Sequence, residues 1–232
     1  MREEHAAGKP LTATVEERII QIIKEGDLQP GDRLENEHDL ARRLGVGRGT
    51  VREAIKGLVS RNVLTVRQGS GTFVSHRHGV PNDPLGLTLL KQDRQLALEL
   101  LEVRLILEPE IAALAATRAT DGDLRRIVSQ CDRVEKLILA EEEYQQEDVE
   151  FHRRIAQASR NRVTSTLVPV IHSSSSLNID LTHNELRENT VRYHRALAEA
   201  LRRRDPLGAR YAMVQHLAEN RRYILAPGPG DK

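Results

Sequence analysis

Apolar residues recur along most of the chain with the period of helices, and in one short interval with the character of strands. Val15, Ile19, Ile22 and Ile23 mark one face of a first helix, with Thr14-x-x-Glu17 in the form of a capping box at its start and Gly26 at its end. Leu28-Gln29-Pro30-Gly31-Asp32 reads as a turn, because proline presets the first dihedral and glycine accepts the positive φ that the next position can require. Leu34-Glu35-Asn36-Glu37 leads into a second helix, on which Leu40, Ala41 and Leu44 share a face, and Gly45 can stop it in a left-handed conformation. A third apolar pattern runs through Val51, Ala54, Ile55 and Leu58. After Asn62 come Val63-Leu64-Thr65-Val66 and Thr72-Phe73-Val74, joined through Arg67-Gln68-Gly69-Ser70-Gly71, which predicts a two-strand hairpin with a glycine turn. Three helices followed by such a hairpin make a winged helix-turn-helix over residues 1–75, its first ten residues polar and loose.

A stretch rich in breakers, residues 76–84, follows as a linker. Beyond it the pattern is helical almost without interruption. Asp83-Pro84 predicts a short helix, and a long one spans about Asp93 to Ala119 with Pro109 as a kink or restart. Thr120-x-x-Asp123 opens the next, followed by Tyr144 to Ser159, Asn161 to Asn178, Glu185 to Arg204, and Asp205-Pro206 to Leu225. The fold class expected is therefore mainly α: the winged head, then an all-α bundle over residues 85–225, then a flexible tail from 226 to 232 whose prolines and glycines cannot be regular.

Charge changes the picture at one place. The chain balances 35 basic against 34 acidic residues, which by itself argues against a nucleic-acid binder. Between Ala41 and Arg77, however, Arg42, Arg43, Arg48, Arg52, Lys56, Arg61, Arg67 and Arg77 stand against Glu53 alone. Arg48, Arg52 and Lys56 recur every four residues, so they share a face of the third helix away from its apolar one. A solvated basic face is the ordinary reading of such a run, and the turn and wing around it favour the major groove of a duplex instead. Arginine can offer paired donors to a guanine edge, while Lys56, Arg42, Arg43 and Arg67 suit phosphates. Four Tyr, two Phe and no Trp argue against a single-strand stacking platform, one cysteine excludes a disulfide framework, and no long apolar window or signal peptide occurs, so a cytoplasmic protein without a membrane partner is expected.

In the second half, Asp148 and His152 stand four apart and point the same way, and His194 and His216 reach the same depth if the last two helices pack antiparallel. One carboxylate and three imidazoles can form the shell of a divalent transition metal with room for an exogenous ligand. An Asp-x-x-x-His pair is equally compatible with a surface or core polar contact, and His172 and His183 compete for the same role. Ser173 to Ser176 sits oddly inside a helix, lining a pocket or marking a kink.

The motifs Leu28-x-Pro30-Gly31-x-x-Leu34, Leu40-Ala41-x-x-Leu44-Gly45-Val46-x-Arg48-x-x-Val51-Arg52-Glu53-Ala54 and Gly69-x-Gly71-Thr72-Phe73-Val74 resemble the DNA-binding domain of the GntR transcription regulators. The resemblance implies that Arg48, Thr50 and Arg52 meet operator bases or adjacent phosphates, and that Gln68 and Gly69 reach the minor groove from the wing tip. His38 stands where many relatives carry Arg and is kept among the DNA-contacting positions; Gly47 stands where they carry Ser or Thr. Leu101-Glu102-Val103-Arg104-x-x-Leu107-Glu108-x-x-x-Ala112, Asp148-x-x-x-His152, His194 and His216 resemble the FCD effector domain of the FadR subfamily. That implies Asp148, His152, His194 and His216 as metal ligands, with zinc first and nickel, manganese or iron as alternatives, and Arg104 as the partner of an effector carboxylate. An intrahelical pair with Glu108 is the competing role for Arg104. Residues 83–100 resemble the version with an extra helix, whose members sense lactate, pyruvate or sugar acids. The function expected is a metabolite-responsive repressor that binds a palindromic operator in double-stranded DNA as a homodimer, not an enzyme. The alternatives are a metal-dependent enzyme acting on a small organic acid, and a DNA-binding dimer whose metal only braces the fold.

Overall fold

The computed structural model describes residues 10–77, 79–81, 83–87, 89–91, 93–173 and 187–226. The chain divides into two compact units, Met1–Pro84 and Leu85–Lys232.

In the first unit, α1 (Leu11–Glu25), α2 (Glu37–Leu44) and α3 (Arg48–Ser60) close over a core that includes Ile19, Leu40, Val51 and Leu58, none of which keeps any exposure. The expected capping box at Thr14 does not form: α1 begins three residues earlier, and the Thr14 amide is already spent on the Pro10 carbonyl at 3.2 Å. Leu11, Thr12 and Ala13 offer nothing that stops a helix, so it extends back to the proline. Asn36 caps α2, its Oδ1 accepting from the amides of His38 and Asp39, both at 3.0 Å. Gly45 ends α2 at φ +69°, as its position predicts, and lets the chain turn into α3 within three residues. Arg18 Nη1 donates to the Leu44 carbonyl at 3.0 Å and ties that turn to α1.

The wing is β1 (Leu64–Arg67) paired antiparallel with β2 (Gly71–Val74), with Leu64 opposite Val74 and Arg67 opposite Gly71. The segment before α2 is more than a turn. Gly31 N donates to Val74 O (2.9 Å), Val74 N to Asp32 O (2.9 Å) and Leu34 N to Thr72 O (2.8 Å), so residues 31–34 cover the outer edge of β2. That fixes the wing to the helical core and leaves its tip free.

The second unit holds α4 (Arg94–Arg118), α5 (Asp121–Leu139), α6 (Gln145–Ala158), α7 (Arg162–Ser173), α8 (Arg187–Arg202) and α9 (Pro206–Leu225). Thr120 and Asp123 form the capping box expected at the start of α5. Two expectations need correction. Asp83 and Pro84 begin no helix; the described residues from 83 to 91 are turns and bends, with Gly86 at φ +67°. Pro109 does not restart α4, which runs through it unbroken. His183 and Ser174 to Ser176 lie outside the described residues, as do the first nine and last six of the chain and the side chain of Ser173.

Two contacts set the packing of the long helices. Arg94 Nη2 donates to Ala226 O at 2.9 Å, and sixteen residues along α4 Glu110 meets Arg210, sixteen residues back from Ala226. α4 and α9 are therefore antiparallel, and Arg104 stands level with His216. Likewise Asn189 bonds Glu219 at 3.1 Å while the rings of His194 and His216 lie 4.7 Å apart, so α8 also runs against α9.

Asn36→Ala removes a cap that serves two amides and should cost about 1 kcal/mol of stability in the first unit. Urea unfolding followed by circular dichroism measures this; an unchanged midpoint would mean water replaces the cap at no cost.

Candidate nucleic-acid interface and metal centre

On the first unit, α3 presents Arg48, Arg52 and Lys56 on one exposed face opposite its buried Val51, Ala54, Ile55 and Leu58. Gly47 precedes α3 in extended conformation without a side-chain cap. Arg52 is engaged: its Nε and Nη2 donate to Glu37 Oε2 at 3.1 and 2.9 Å. The Arg52 hydrogen bond holds the Glu37 carboxyl below the usual carboxylate range. With 54% of the Arg52 side chain exposed, such a pair is worth at most about 1 kcal/mol and opens readily to a better acceptor. Glu37 lies just before the stretch whose charges single out the basic face, and its spacing from Arg52 carries no helical signal that links them. Lys56 Nζ bonds Glu53 at 2.9 Å, Arg42 Nη2 lies 2.8 Å from His38 Nε2, and Arg43 pairs with Glu35. All of these are exposed, and Thr50 at the start of α3 is half-buried. At the wing, Arg67 stacks on the Phe73 ring with its Cζ 4.5 Å from the centroid, and Gln68 and Gly69 stand exposed at the tip, Gly69 at φ +73°.

Inside the second unit, α4, α6, α7, α8 and α9 each send a polar side chain to one buried place. Asp148 and His152 come from α6, His194 from α8 and His216 from α9; the three imidazoles each keep 2% exposure or less. A ligand atom from each imidazole lies within 4.8 Å of the others. The Asp148 oxygens approach at 3.4 Å from His194 Nε2 and 3.9 Å from His152 Nε2. Nε2 of His152, His194 and His216 finds no hydrogen-bond partner among the described residues. Unpaired polar atoms in so dry a place are costly, and three imidazoles gathered together, two of them beside one carboxylate, offer a donor set for a divalent transition metal. The residues present therefore fit such an ion.

A second constellation backs the first. Glu108 on α4, 2% exposed, accepts from His152 Nδ1 at 2.6 Å through Oε2. Its Oε1 takes Arg104 Nε at 2.7 Å and His172 Nε2 at 3.0 Å. A donor at Nδ1 leaves His152 Nε2 as the free lone pair. The intrahelical alternative for Arg104 is thus realised, yet Nη2 of the same guanidinium remains buried and unpartnered. His172, a competitor for the metal on spacing alone, faces Glu108. Glu108 belongs to the centre, and its i, i+4 position from Arg104 was a signal only for a pair between those two.

Electrostatics follow the burial. Loss of water pushes His172 down to about 3 and His194 and His216 well below the ordinary imidazole range, assisted by Arg104 and the neighbouring imidazoles. Burial raises the Asp148 carboxyl, against the pull of His152 and Arg104. Burial works the same way on Glu108, but there Arg104, His172 and His152 prevail and hold it well below the carboxylate range.

Residues 11–74 match the family described as bacterial regulatory proteins, gntR family, and residues 99–219 match the FCD domain. An HTH-type transcriptional regulator of Bacillus subtilis, YcbG, is 30% identical over 94% of this chain and 91% of its own length. A protein of Escherichia coli K12 named as an L-lactate dehydrogenase operon regulatory protein is 38% identical over 66% of this chain and 60% of its own. A solved structure of a GntR protein from Streptococcus agalactiae superposes with a TM-score of 0.81 at 38% identity, covering 91% of this chain and 99% of that one. These relatives are transcription regulators, not enzymes, and no helix among the described residues is long and apolar enough to cross a membrane.

In metal-free protein the buried imidazoles set a pH dependence. An unfolded imidazole titrates near about 6.5, whereas His172, His194 and His216 resist protonation when folded, so the unfolded chain takes up protons first. Their contribution is complete above about pH 6.5 and is lost as pH falls toward the folded values, at about 1.4 kcal/mol per pH unit for each imidazole. Urea midpoints in chelator should fall steeply between about pH 7 and about pH 5.5; flat midpoints would contradict the burial of neutral rings.

Proposed function

The chain belongs to the gntR family of bacterial regulatory proteins and carries an FCD domain as its second unit, and on that premise we propose that it is a repressor whose hold on a palindromic operator is set by a small carboxylate at a metal. It acts as a homodimer, because two recognition helices spaced by about one turn of DNA read a two-fold site. Arg48 and Arg52 read base edges, with Thr50 at the start of the same helix. Lys56, Arg42, Arg43 and Arg67 hold phosphates, His38 lies beside Arg42, and Gln68 and Gly69 enter the minor groove.

The observation that carries the effector half is the set of orphaned buried atoms: Nε2 of His152, His194 and His216, and Nη2 of Arg104. Held by Asp148, His152, His194 and His216, a zinc ion, or nickel, manganese or iron in its place, would supply a coordination position that a carboxylate can fill. Arg104 then orients that carboxylate through its unused Nη2, a charge-assisted hydrogen bond. The lactate-operon relative supports lactate, pyruvate or a sugar acid as the class of effector. Effector binding shifts the balance between arrangements of the two DNA-binding heads, and couplings of about 1 to 3 kcal/mol suffice to change occupancy severalfold.

Arg52→Ala should weaken operator binding and relax preference at one base pair by about 1 to 3 kcal/mol, read by gel-shift titration against single-base variants. Affinity and preference both equal to the parent's would remove Arg52 from base readout. For the centre, untagged protein should carry about one metal per chain and lose it in His152→Ala/His194→Ala. Elemental analysis decides, and metal retained by the double variant would sink the ligand set. Arg104→Ala should keep the metal yet lose the thermal shift produced by L-lactate or pyruvate.

A further inference from the structure

Of Arg48, Arg52 and Lys56, only Arg52 is held from another helix. Lys56 pairs with Glu53 on α3 itself, whereas Arg52 reaches fifteen residues back to Glu37, the first residue of α2. Its Nε lies 3.3 and 3.1 Å from the two Glu37 oxygens and its Nη2 lies 2.9 Å from Oε2, so the carboxylate covers the Nε–Nη2 edge of the guanidinium. Both N–H groups of Nη1 and the second one of Nη2 stay open, and they make up the end edge that suits O6 and N7 of guanine. Glu37 is itself fixed, because the Asn36 cap sets the start of α2 on which it stands. An anion there agrees with the helix dipole, and the Arg52 hydrogen bond keeps its carboxyl below the usual range. For a surface that only grips phosphate, such an acid is a fault. It acts on Arg48 and Lys56 as well as Arg52, so it takes charge away from the face a duplex meets and weakens attraction to every sequence alike.

We infer that Glu37 is a positioning residue for base readout: it holds Arg52 by one edge so that the other edge meets guanine in the major groove. The inference rests on the reading of Arg52 as a base contact and names what fixes that contact. An unheld arginine turns through many rotamers and takes the first acceptor it meets, and on a duplex that is most often a phosphate oxygen. The Glu37 carboxylate alters both tendencies. It restricts the guanidinium before DNA arrives, and it repels a phosphate that approaches the same arginine. Guanine offers neutral acceptors and takes the edge that Glu37 leaves, so it need not displace the acid. Adenine and cytosine place an amino group in the groove, where the held edge meets donor with donor, and Arg52 cannot swing clear without giving up Glu37. In water the pair is weak because it is exposed; a groove that excludes water strengthens it, since Coulomb attraction grows as the dielectric falls.

The full chain is used to select duplexes from a pool randomised over about twenty base pairs, and the selected duplex and its single-base variants are then titrated by gel shift. Arg52→Ala should lose preference at one G·C pair, and Glu37→Ala should lower the preference at that same pair about fivefold while affinity for unselected duplexes stays level or rises. Glu37→Gln, which keeps the length and one acceptor oxygen, should show the same loss in smaller degree and stands in should Glu37→Ala fray α2. In the Arg52→Ala background Glu37→Ala should change nothing at that pair, because Glu37 acts there only through Arg52. A parent-like preference in Glu37→Ala, whether or not binding to all duplexes tightens, overturns this inference and leaves Arg52 as a base contact. So does a loss that persists in full without Arg52. Unchanged preference in Arg52→Ala, or a pool that the full chain does not enrich, overturns the base reading and this inference together.

Discussion

A carboxylate with almost no access to water, that of Glu108, holds a guanidinium and two imidazoles at once, and the interior of the second unit is arranged around that hold. Taking a carboxylate and a guanidinium out of water costs several kcal/mol for each, which the pair recovers only with good geometry and with its remaining lone pairs satisfied. Both oxygens of Glu108 are satisfied, one by His152 and the other shared by Arg104 and His172. Breaking such a set by removing one member costs about 3 to 5 kcal/mol, since the others stay buried and unpaired. The arrangement therefore contributes little net stability for its size. What it secures is direction: the proton on His152 Nδ1 faces Glu108, and the lone pair on Nε2 faces the centre.

The unspent valence of this network is as telling as the spent part. A fold selected for stability alone would fill the place with apolar side chains, which is often neutral or better than a buried ion pair. Of the seven buried side-chain nitrogens without a partner among the described residues, five belong to this centre: Nε2 of His152, His194 and His216, Nδ1 of His194 and Nη2 of Arg104. Deficits so concentrated are what a binding site looks like before its ligand is drawn. The first unit handles charge the opposite way. Its Arg43, Arg52 and Arg67 lie in water, paired with Glu35 or Glu37 or stacked on Phe73, in contacts that cost little to open. One unit holds its charges fixed, and the other keeps them available.

How far the fold could be read in advance depends on where the physics is local. The cap at Thr120, the left-handed stop at Gly45, the ends of α6 and the hairpin with its glycine turn depend on neighbours within a few residues, and spacing reports them directly. Thr14 misled because a capping box describes a possible start, and nothing in Leu11 to Ala13 forbids an earlier one. Pro84 misled because proline at a helix start needs helix formers after it, and Gly86 comes next but one at φ +67°. The cover that residues 31–34 give β2 was invisible, since it is backbone to backbone across some forty residues. In the centre, the i, i+4 spacing of Asp148 and His152 was legible, and the place of His194 beside His216 came from assuming antiparallel helices. Glu108 was hidden in its true role because its partners His152 and His172 lie 44 and 64 residues away, and only the nearer Arg104 shares a helix with it.

α4 and α9 both line the buried centre, and the proposed control by a carboxylate would have to act through them. Arg104 and Glu108 sit on the inner face of α4 and His216 on the inner face of α9. A helix in a close-packed interior moves as a body, so on the proposed reading a carboxylate that draws Arg104 toward the imidazoles would carry α4 with it. In the proposed homodimer, a shift of about an ångström or two would change how two copies pack, and packed interfaces take up such changes in discrete steps. The spacing of two recognition helices would have to match about one turn of DNA, so even a small change in that packing would alter operator affinity. Such a coupling would be reciprocal by necessity: an operator that favours one packing would change the affinity of the centre for its carboxylate by the same factor.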